Sequence, residues 1–546
     1  MRSRRLLSIA LLGAVLLGAS PDTDRYPRRF GIDVENYRFE LTLRDDVDEI
    51  QGTATVSVLF TASGVTELPL DLISRGASGR GMEVLGVTSS GAALDYEHAD
   101  DLLTVTLAEP GRSGQRVSVS VDYRGIPAAG LQIGPNKHGD RTFFSDNWPN
   151  KVRNWLPTVD HIGEKATVEL IVDAPSHYQV VSNGLLIEET DHPEEGTRVS
   201  HWKQSVPISP WLYVLGVARF AKQTVDVVDG VAIETWVYAQ DRDAGFYDFA
   251  VPSRAALEYY EAWVGPYAYE KLANITSPAT GGGMEAASAI MYHENSVTGE
   301  RTVRWRNVVI HEIAHQWFGN SVTESDWNDV WLSEGFATYF TLLFIEHAYG
   351  RDEFVDGLHS AADRVWTWYD ANPEYRIVHA DLDDMSRVTS IATYQKGAWV
   401  LHMLRERLGD EAFWEGIQLY YARHMNETAS TEDFMQAMEE VSGDDLQDFF
   451  DQWLRRGGNP TVTGWWTYDA SAQAVRIELN QTQDGLFDIP IDVGIYTDAD
   501  LLPASIESLR LTDAFHRFVI PVDGEPSEVR LDPNTRLLHQ ADFTRR

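Results

Sequence analysis

VVIHEIAHQWFGNSVTESDWNDVWLSEGFATY, residues Val308 to Tyr339, holds two histidines four residues apart. On a helix, His311 and His315 project from one face and can grip a single ion. Glu312 lies between them, beside such an ion rather than on it, where a carboxylate can take a proton from an activated water. Val308, Val309, Ile310, Ile313, Ala314, Trp317 and Phe318 give the helix an apolar surface to bury, and Gly319-Asn320 offers a stop. A third ligand is required. Glu334, nineteen residues after His315, falls in a second helical run from Trp331 to Tyr349, so two packed helices can present all three donors. Two imidazoles and a carboxylate point to zinc with a fourth position open to water, which suits a catalytic site rather than a structural one.

Composition narrows the setting of that site. At 546 residues, 43% of them hydrophobic and 11% aromatic, the chain can fill about three or four packed domains and is not a disordered polymer. A formal charge of −38 repels phosphate over most of the surface, which excludes a general nucleic-acid binder and favours cationic ligands. Lysine is scarce. The seven are Lys137, Lys151, Lys165, Lys203, Lys222, Lys271 and Lys396; such an acidic balance suits a high-salt medium or follows from a GC-rich genome. There is no cysteine, so thiolate ligands and thiolate catalysis drop out and histidine and carboxylates remain. Arg2, Arg4 and Arg5 precede an apolar run from Leu6 to Ala19 that exits through Gly18-Ala19-Ser20. Residues 1–20 read as a secretory signal peptide, with an uncleaved anchor as the alternative. No later segment approaches the roughly 20 apolar residues that a span needs, so the mature chain is expected outside the cytoplasm with no membrane span.

Period-two alternation marks strands at Tyr37–Leu43, Ala54–Leu59, Val117–Tyr123 and Thr167–Val172. Asn183-Gly184 reads as a hairpin turn between Tyr178–Val181 and Leu185–Ile187. After about Asp226 the pattern changes, first to a strand at Ala232–Tyr238 and then to helices. Ser253 suits the cap of a helix reaching Val264, which Gly265-Pro266 ends. Helical periods follow at Arg351–Trp368, Gly397–Leu408 and Glu411–His424. Thr431 and Ser442 suit the caps of two more, the last with Leu446, Phe449, Phe450, Trp453 and Leu454 on one face. Gly457-Gly458-Asn459-Pro460 then breaks the chain, and alternation returns from Thr461 to about Phe543 at sandwich-like spacing. The fold class is multidomain α+β. Its expected parts are the signal peptide 1–20, a β domain 21–225, a mixed domain 226–458 with the metal site, and a C-terminal β-sandwich 459–546.

Two further strings bear on chemistry. Gly281-Gly282-Gly283-Met284-Glu285 is either a bulge or loop, or an edge strand along which an extended peptide lies, ending in a carboxylate that can pair with an ammonium group. Tyr394, in Thr393-Tyr394-Gln395-Lys396-Gly397, is either a helix-start aromatic or a hydroxyl that can donate to an oxyanion. Asn328 and Asp329 can partner a ligand imidazole or cap the second helix. His293, Glu346 and His347 read as surface or core residues.

These strings resemble peptidase family M1, the aminopeptidase N-like gluzincins. HEIAHQWFGN and WNDVWLSEGFA match its metal signature, GGGME its G-x-M-E-N element and TYQKG its Y-x-K-G element. SDNWPNKVRNWLPTVDHIGEKAT, residues 145–167, keeps its N-terminal framework at Pro149, Arg153, Pro157 and Asp160. The resemblance implies an N-terminal β-saddle, a thermolysin-like α/β catalytic domain and the C-terminal β-sandwich, in a three-domain form with no residues left for the large helical fourth domain of many relatives. It implies one zinc per chain on His311, His315 and Glu334, with Glu312 as general base and Tyr394 as oxyanion donor. Peptides with a free N-terminus would lie along Gly282, Gly283 and Met284 with their α-amine on Glu285, which makes the chain a zinc aminopeptidase. Met284 and Tyr292 are candidates for the pocket wall. Two positions depart from the pattern. Ala286 replaces the usual Asn, and Asp146 replaces a Gln or Glu that helps hold the amine, so Asp146 either does that work or only forms a turn. The rivals are a zinc endopeptidase, an epoxide hydrolase as in one branch of the family, and a non-enzymatic scaffold.

Overall fold

The computed structural model describes residues 29–379, 382, 384–497 and 502–546; the expected signal peptide, residues 1–20, lies outside them. Wherever apolar and polar residues alternate near the N-terminus, the chain forms sheet. Strands Ala166–Pro175, Ile32–Thr42, Ile50–Phe60 and Arg116–Ile126 are consecutive neighbours in an eight-stranded sheet. Tyr37, Phe39 and Leu41 are buried on one face with Ala54, Val56 and Val58 of the next strand. A slip of one residue would turn all of them to water, so this alternation also fixes the register.

A four-stranded sheet orders Gln179–Ser182, Leu215–Ala218, Arg141–Ser145 and Leu131–Pro135. Its third strand hands the chain to residues 146–151. The expected hairpin at Asn183-Gly184 does not form. Gln179–Ser182 pairs within this sheet, whereas Leu185–His192 pairs with Thr197–Ile208 in the larger one. Gly184 has φ +67° and turns the chain from one sheet to the other; a Cβ there would stand 1.9 Å from the Lys203 carbonyl oxygen. Buried Asn183 fixes the crossing by donating to the carbonyls of Leu212 at 2.9 Å and Ala287 at 2.7 Å, and accepting from Val214 N–H at 2.8 Å. The turn signal is genuine, and tertiary packing decides which strands it joins.

The next sheet orders Phe220–Val228, Val231–Tyr238, Lys271–Ser277, Ala289–His293 and Gly283–Met284. Phe220–Val228 pairs with Val231–Tyr238, so this strand straddles the expected division between residues 225 and 226, and we place the division ahead of Phe220. Gly283–Met284 is the outermost strand.

The helices are α1 (Arg242–Trp263), α2 (Val303–Ala314), α3 (Trp331–Tyr349), α4 (Arg351–Tyr369), α5 (Gly397–Leu408), α6 (Asp410–His424), α7 (Thr431–Ser442) and α8 (Gln447–Leu454). Three caps differ from expectation. α1 begins well before Ser253, which is buried inside it and bonds the Asn274 amide at 3.0 Å; Pro252 removes one helix bond, but Phe249, Ala256 and Leu257 are packed on either side of it. Ser430, not Thr431, caps α7, in a capping box with Asp433. Ser442 closes α7 instead of opening α8, its hydroxyl bonding back to the Met438 carbonyl. Gly457–Pro460 leads into a sandwich of a four-stranded and a three-stranded sheet. Among the described residues no helix is long and apolar enough to cross a membrane.

Asn183→Ala would leave buried backbone groups of Leu212, Val214 and Ala287 without partners. We expect a loss of about 3 kcal/mol of unfolding free energy, read as a lower denaturant midpoint; an unchanged midpoint would contradict this role.

Candidate metal centre and substrate cleft

α2 ends at Ala314, and His315 is its C-cap, four residues ahead of the expected stop. The chain tightens there: the N–H groups of Gln316 and Trp317 reach back three residues, to the carbonyls of Ile313 and Ala314. Gly319 then takes φ +108°, and a Cβ on it would lie 2.2 Å from Ser333 Oγ, so glycine is required. This turn aims the Phe318 carbonyl at His315 Nδ1, 3.1 Å away, with Ser333 Oγ at 3.0 Å on the same nitrogen. His311 is held by the backbone of Ala337. With Nδ1 of His315 against a carbonyl oxygen, Nε2 is the nitrogen left facing Glu334, the one that can offer a lone pair to an ion when it gives up its proton.

α3 is almost wholly buried and carries Glu334 in its first turn. Glu334 Oε2 lies 3.5 Å from His311 Nε2 and 3.3 Å from His315 Nε2, and the two Nε2 atoms are 3.1 Å apart. Glu334 Oε1 accepts from the Tyr394 hydroxyl. Oε2 is buried and has no hydrogen-bond partner among the described residues. An orphaned carboxylate oxygen facing two imidazole Nε2 atoms fits a divalent ion, and an N₂O donor set with an open side fits zinc. The predicted triad therefore converges.

The charges agree. Burial works against a proton on either ring and holds His311 below its ordinary value. At His315 the carboxylates of Glu285, Glu334 and Glu312 outweigh burial and lift it to about 10. Burial raises Glu334 too, but the two rings carry it down to about 2. The Nε2 face of this cluster draws in positive charge.

Glu312 is buried with its carboxyl against the edge strand: a Cβ on Gly283 would meet its Oε1 at 2.1 Å. Gly283 thus makes room for Glu312, whereas positions 281 and 282 face open space. Burial, and then the charge of Glu285, push Glu312 well above the usual carboxylate range, which suits a group that takes up a proton. Glu285 follows the strand, its Oε1 3.8 Å from His315 Nε2. Burial raises it as well, against the pull of His315.

Three residues that sequence reasoning passed over hold Glu285 in place. Its carbonyl accepts from Gln316 Nε2 at 2.9 Å and Asn320 Nδ2 at 2.6 Å, and Gln316 Oε1 takes the N–H of Ser288 at 2.9 Å. From the N-terminal domain, Lys165 donates to the carbonyls of Asn320 and Ser321 at 3.0 and 2.7 Å; burial pulls its ammonium down to about 7. Gln316 and Asn320 stand in the string that carries the histidines, which was the available signal. Lys165 had none.

Tyr394 lies in a π-turn, Ala392–Lys396, its ring nearly parallel to His311 at 6.2 Å. Asp146 bonds Lys151 Nζ at 2.9 Å, and its charge bears on Glu285. Asp329 accepts from Thr431 Oγ1 at 2.6 Å, so it supports the start of α7; Ser333, Phe318 and Ala337 serve the imidazoles instead. Tyr292 is buried against Phe249 at 5.0 Å, and the charge of Glu312 bears on its hydroxyl. Met284 is buried on the edge strand. His293 caps its own turn, His347 packs on Tyr259, and Glu346 pairs with Arg351 and Arg405. Together the cluster offers a seat for a divalent ion, a proton acceptor beside it, a hydroxyl donor, and a carboxylate that can hold a cation.

Two family models match the chain: the peptidase M1 N-terminal domain over residues 34–212 and the peptidase family M1 domain over residues 248–453. Among characterised proteins, the glutamyl aminopeptidase of Homo sapiens is 29% identical over 334 residues, covering 58% of this chain and 34% of that protein. Tricorn protease-interacting factor F2 of Thermoplasma acidophilum is 27% identical over 465 residues, covering 81% of this chain and 54% of its own length. The chain thus spans about a third of the length of the aminopeptidases it matches. The solved M1 zinc metallopeptidase from Deinococcus radiodurans superposes with a TM-score of 0.65 at 24% identity, covering 78% of this chain and 93% of that one, and so shares the fold.

Gly283→Ala must push the Glu312 carboxyl from its place. We expect unchanged metal content, a displaced Glu312 in a crystal structure, and turnover lowered about a hundredfold, the effect of a misplaced reacting group. Undiminished turnover would contradict the packing role given to Gly283.

Proposed function

The chain belongs to peptidase family M1, and from that premise we propose that it is a zinc-dependent aminopeptidase that removes N-terminal residues from peptides. The observation that carries this reading is the buried meeting of His311 Nε2, His315 Nε2 and the orphaned Glu334 Oε2, with Glu312 and Glu285 on its rim. One zinc per chain would be held by those three donors. When bound, it would supply Lewis acidity to a peptide carbonyl and to water.

The chain's own residues do the rest. Glu285 takes the substrate's free ammonium in a charge-assisted hydrogen bond, so the first peptide bond is the one that reaches the metal. The open edge at Gly282, Gly283 and Met284 lets an extended backbone lie alongside the sheet. Glu312, its proton affinity raised by burial, accepts the proton of the attacking water and passes it to the leaving amine. Tyr394 Oη, now on Glu334, turns its hydrogen bond to the oxyanion as the carbonyl becomes tetrahedral. Asp146 lies near enough to act on Glu285 and adds a second negative charge near the amine. The carboxylate that captures a cationic terminus is what favours an exopeptidase over an endopeptidase. The basic and then apolar sequence of residues 1–20 supports export of the protein.

Hydrolysis of alanine and leucine p-nitroanilides tests this reading. We expect zinc-dependent cleavage that a chelator abolishes and added zinc restores. Glu312→Ala should keep its zinc and lose about a thousandfold in kcat, within the range of acid–base catalysis. Glu285→Ala should lose about a hundredfold of the preference for a free over an acetylated N-terminus, as expected when one partner of a buried charge pair is removed. Cleavage that survives without metal, or full turnover in Glu312→Ala, would overturn the mechanism; unchanged discrimination in Glu285→Ala would overturn the exopeptidase assignment.

A further inference from the structure

Lys396 closes the π-turn that carries Tyr394, and the chemistry above gives it no part. Its side chain is wholly buried. Burial, and then the like charge of Arg456, pull its ammonium down to about 7, and among the described residues no carboxylate offsets that charge. A buried amine so placed costs free energy unless its N–H groups are satisfied. Lys396 Nζ donates to the Gly458 carbonyl at 2.8 Å and to the Tyr369 hydroxyl at 3.3 Å, and it stands 4.7 Å from the centre of the Tyr369 ring. Charged or neutral, it keeps an N–H for Gly458.

Gly458 belongs to the linker that leads from α8 into the C-terminal sandwich. The linker is itself pinned: a Cβ on Gly457 would stand 2.8 Å from the backbone of Glu374, and the N–H groups of Ile377 and Val378 both bond the Leu454 carbonyl, at 2.9 and 3.0 Å. Lys396 therefore fastens one end of the π-turn to a fixed point. Thr393 fastens the other, its hydroxyl donating to the Ser390 carbonyl at 2.7 Å and accepting from the Ser390 N–H at 2.8 Å. Against α3 the backbones nearly touch. A Cβ on Gly335, next to Glu334, would meet Gly397 Cα at 3.0 Å and the Thr393 carbonyl oxygen at 3.1 Å. Between these holds, the Tyr394 hydroxyl reaches Glu334.

A π-turn holds one residue more than an α-turn; it is rare and is found most often at functional sites. One residue of register turns a helix by about 100°, so relaxation to an α-turn would swing the Tyr394 ring away from Glu334. Resting on the aminopeptidase reading, we infer that Lys396 is the positioning residue for Tyr394. By holding the Gly458 carbonyl it keeps the π-turn in the register that aims the hydroxyl at the metal seat, and it ties that aim to the docking of the C-terminal domain.

The test measures kcat, KM and zinc content with alanyl p-nitroanilide for the wild type, Lys396→Met, Tyr394→Phe and the double variant. Tyr394→Phe should lose about a hundredfold in kcat, as when one oxyanion donor is removed. Lys396→Met should keep its zinc, hold KM within about twofold and lose about thirtyfold in kcat, the effect of a displaced reacting group. Its crystal structure should show the Tyr394 hydroxyl off Glu334. In the Tyr394→Phe background the same change should cost less than about threefold, because the hydroxyl it aims is gone. A purely structural lysine would cost one factor in both backgrounds. Tyr369→Phe removes only a hydroxyl and should lose about threefold in kcat on the same pattern; it decides the matter if Lys396→Met does not fold. Full turnover in Lys396→Met or Tyr394→Phe, an unmoved hydroxyl, equal losses in both backgrounds, or a loss carried by KM overturns the inference, while wild-type cleavage keeps the aminopeptidase reading. A wild type that leaves the anilide intact overturns that reading, and this one with it.

Discussion

Two imidazole nitrogens 3.1 Å apart and a carboxylate oxygen buried without a hydrogen-bond partner do not stay together on their own account. Each has left water, and an unpaired buried polar group costs free energy unless something compensates it. The surrounding structure holds them in place from every side. α3 brings Glu334 up from below, the Gly319 turn fixes one ring through Phe318 and Ser333, and Ala337 fixes the other. Such preorganisation is what a metal centre needs in order to bind without rearranging its ligands.

The same short loop links the proposed metal seat to the proposed amine seat. Gln316 and Asn320, just beyond His315, carry the Glu285 carbonyl, and Lys165 reaches across from the N-terminal domain to clamp the carbonyls of Asn320 and Ser321. Asn183 adds a second tie, to the carbonyl of Ala287. The N-terminal domain is therefore tied directly to the backbone that carries these residues. It sets the distance between the carboxylate that would hold a substrate's terminus and the histidines that would hold the ion, and a shift in that distance would present the wrong bond.

Much of this was legible in the sequence where local chemistry and long-range packing agree. α3 and α5 begin and end where periodicity predicts, because their apolar residues run to their termini. His311 and His315 were readable as a pair because spacing on a helix is geometry, whereas Glu285 was readable only through the motif it ends. Asn183-Gly184 has the composition of a hairpin, but which strands pair is a tertiary matter. Ser253 looks like a cap beside Pro252, but burial on both sides carries α1 through the proline. Asn328 and Asp329 were open between partnering an imidazole and capping α3; Asp329 instead takes the Thr431 hydroxyl, while Phe318 and Ala337 reach the rings through their backbones, and a backbone contact leaves no mark on residue type. Lys165 and Lys151 meet their partners through the fold and through a loop, and neither contact has a sequence period to betray it.

The central claim is that one zinc sits among His311, His315 and Glu334. Anomalous diffraction collected on either side of the zinc absorption edge, from crystals grown without added metal, tests it directly. The account predicts a single strong peak bonded to both Nε2 atoms and a Glu334 oxygen at about 2.0–2.2 Å, the usual zinc–nitrogen and zinc–oxygen range. Absence of that peak, or its appearance on residues elsewhere in the molecule, would contradict it.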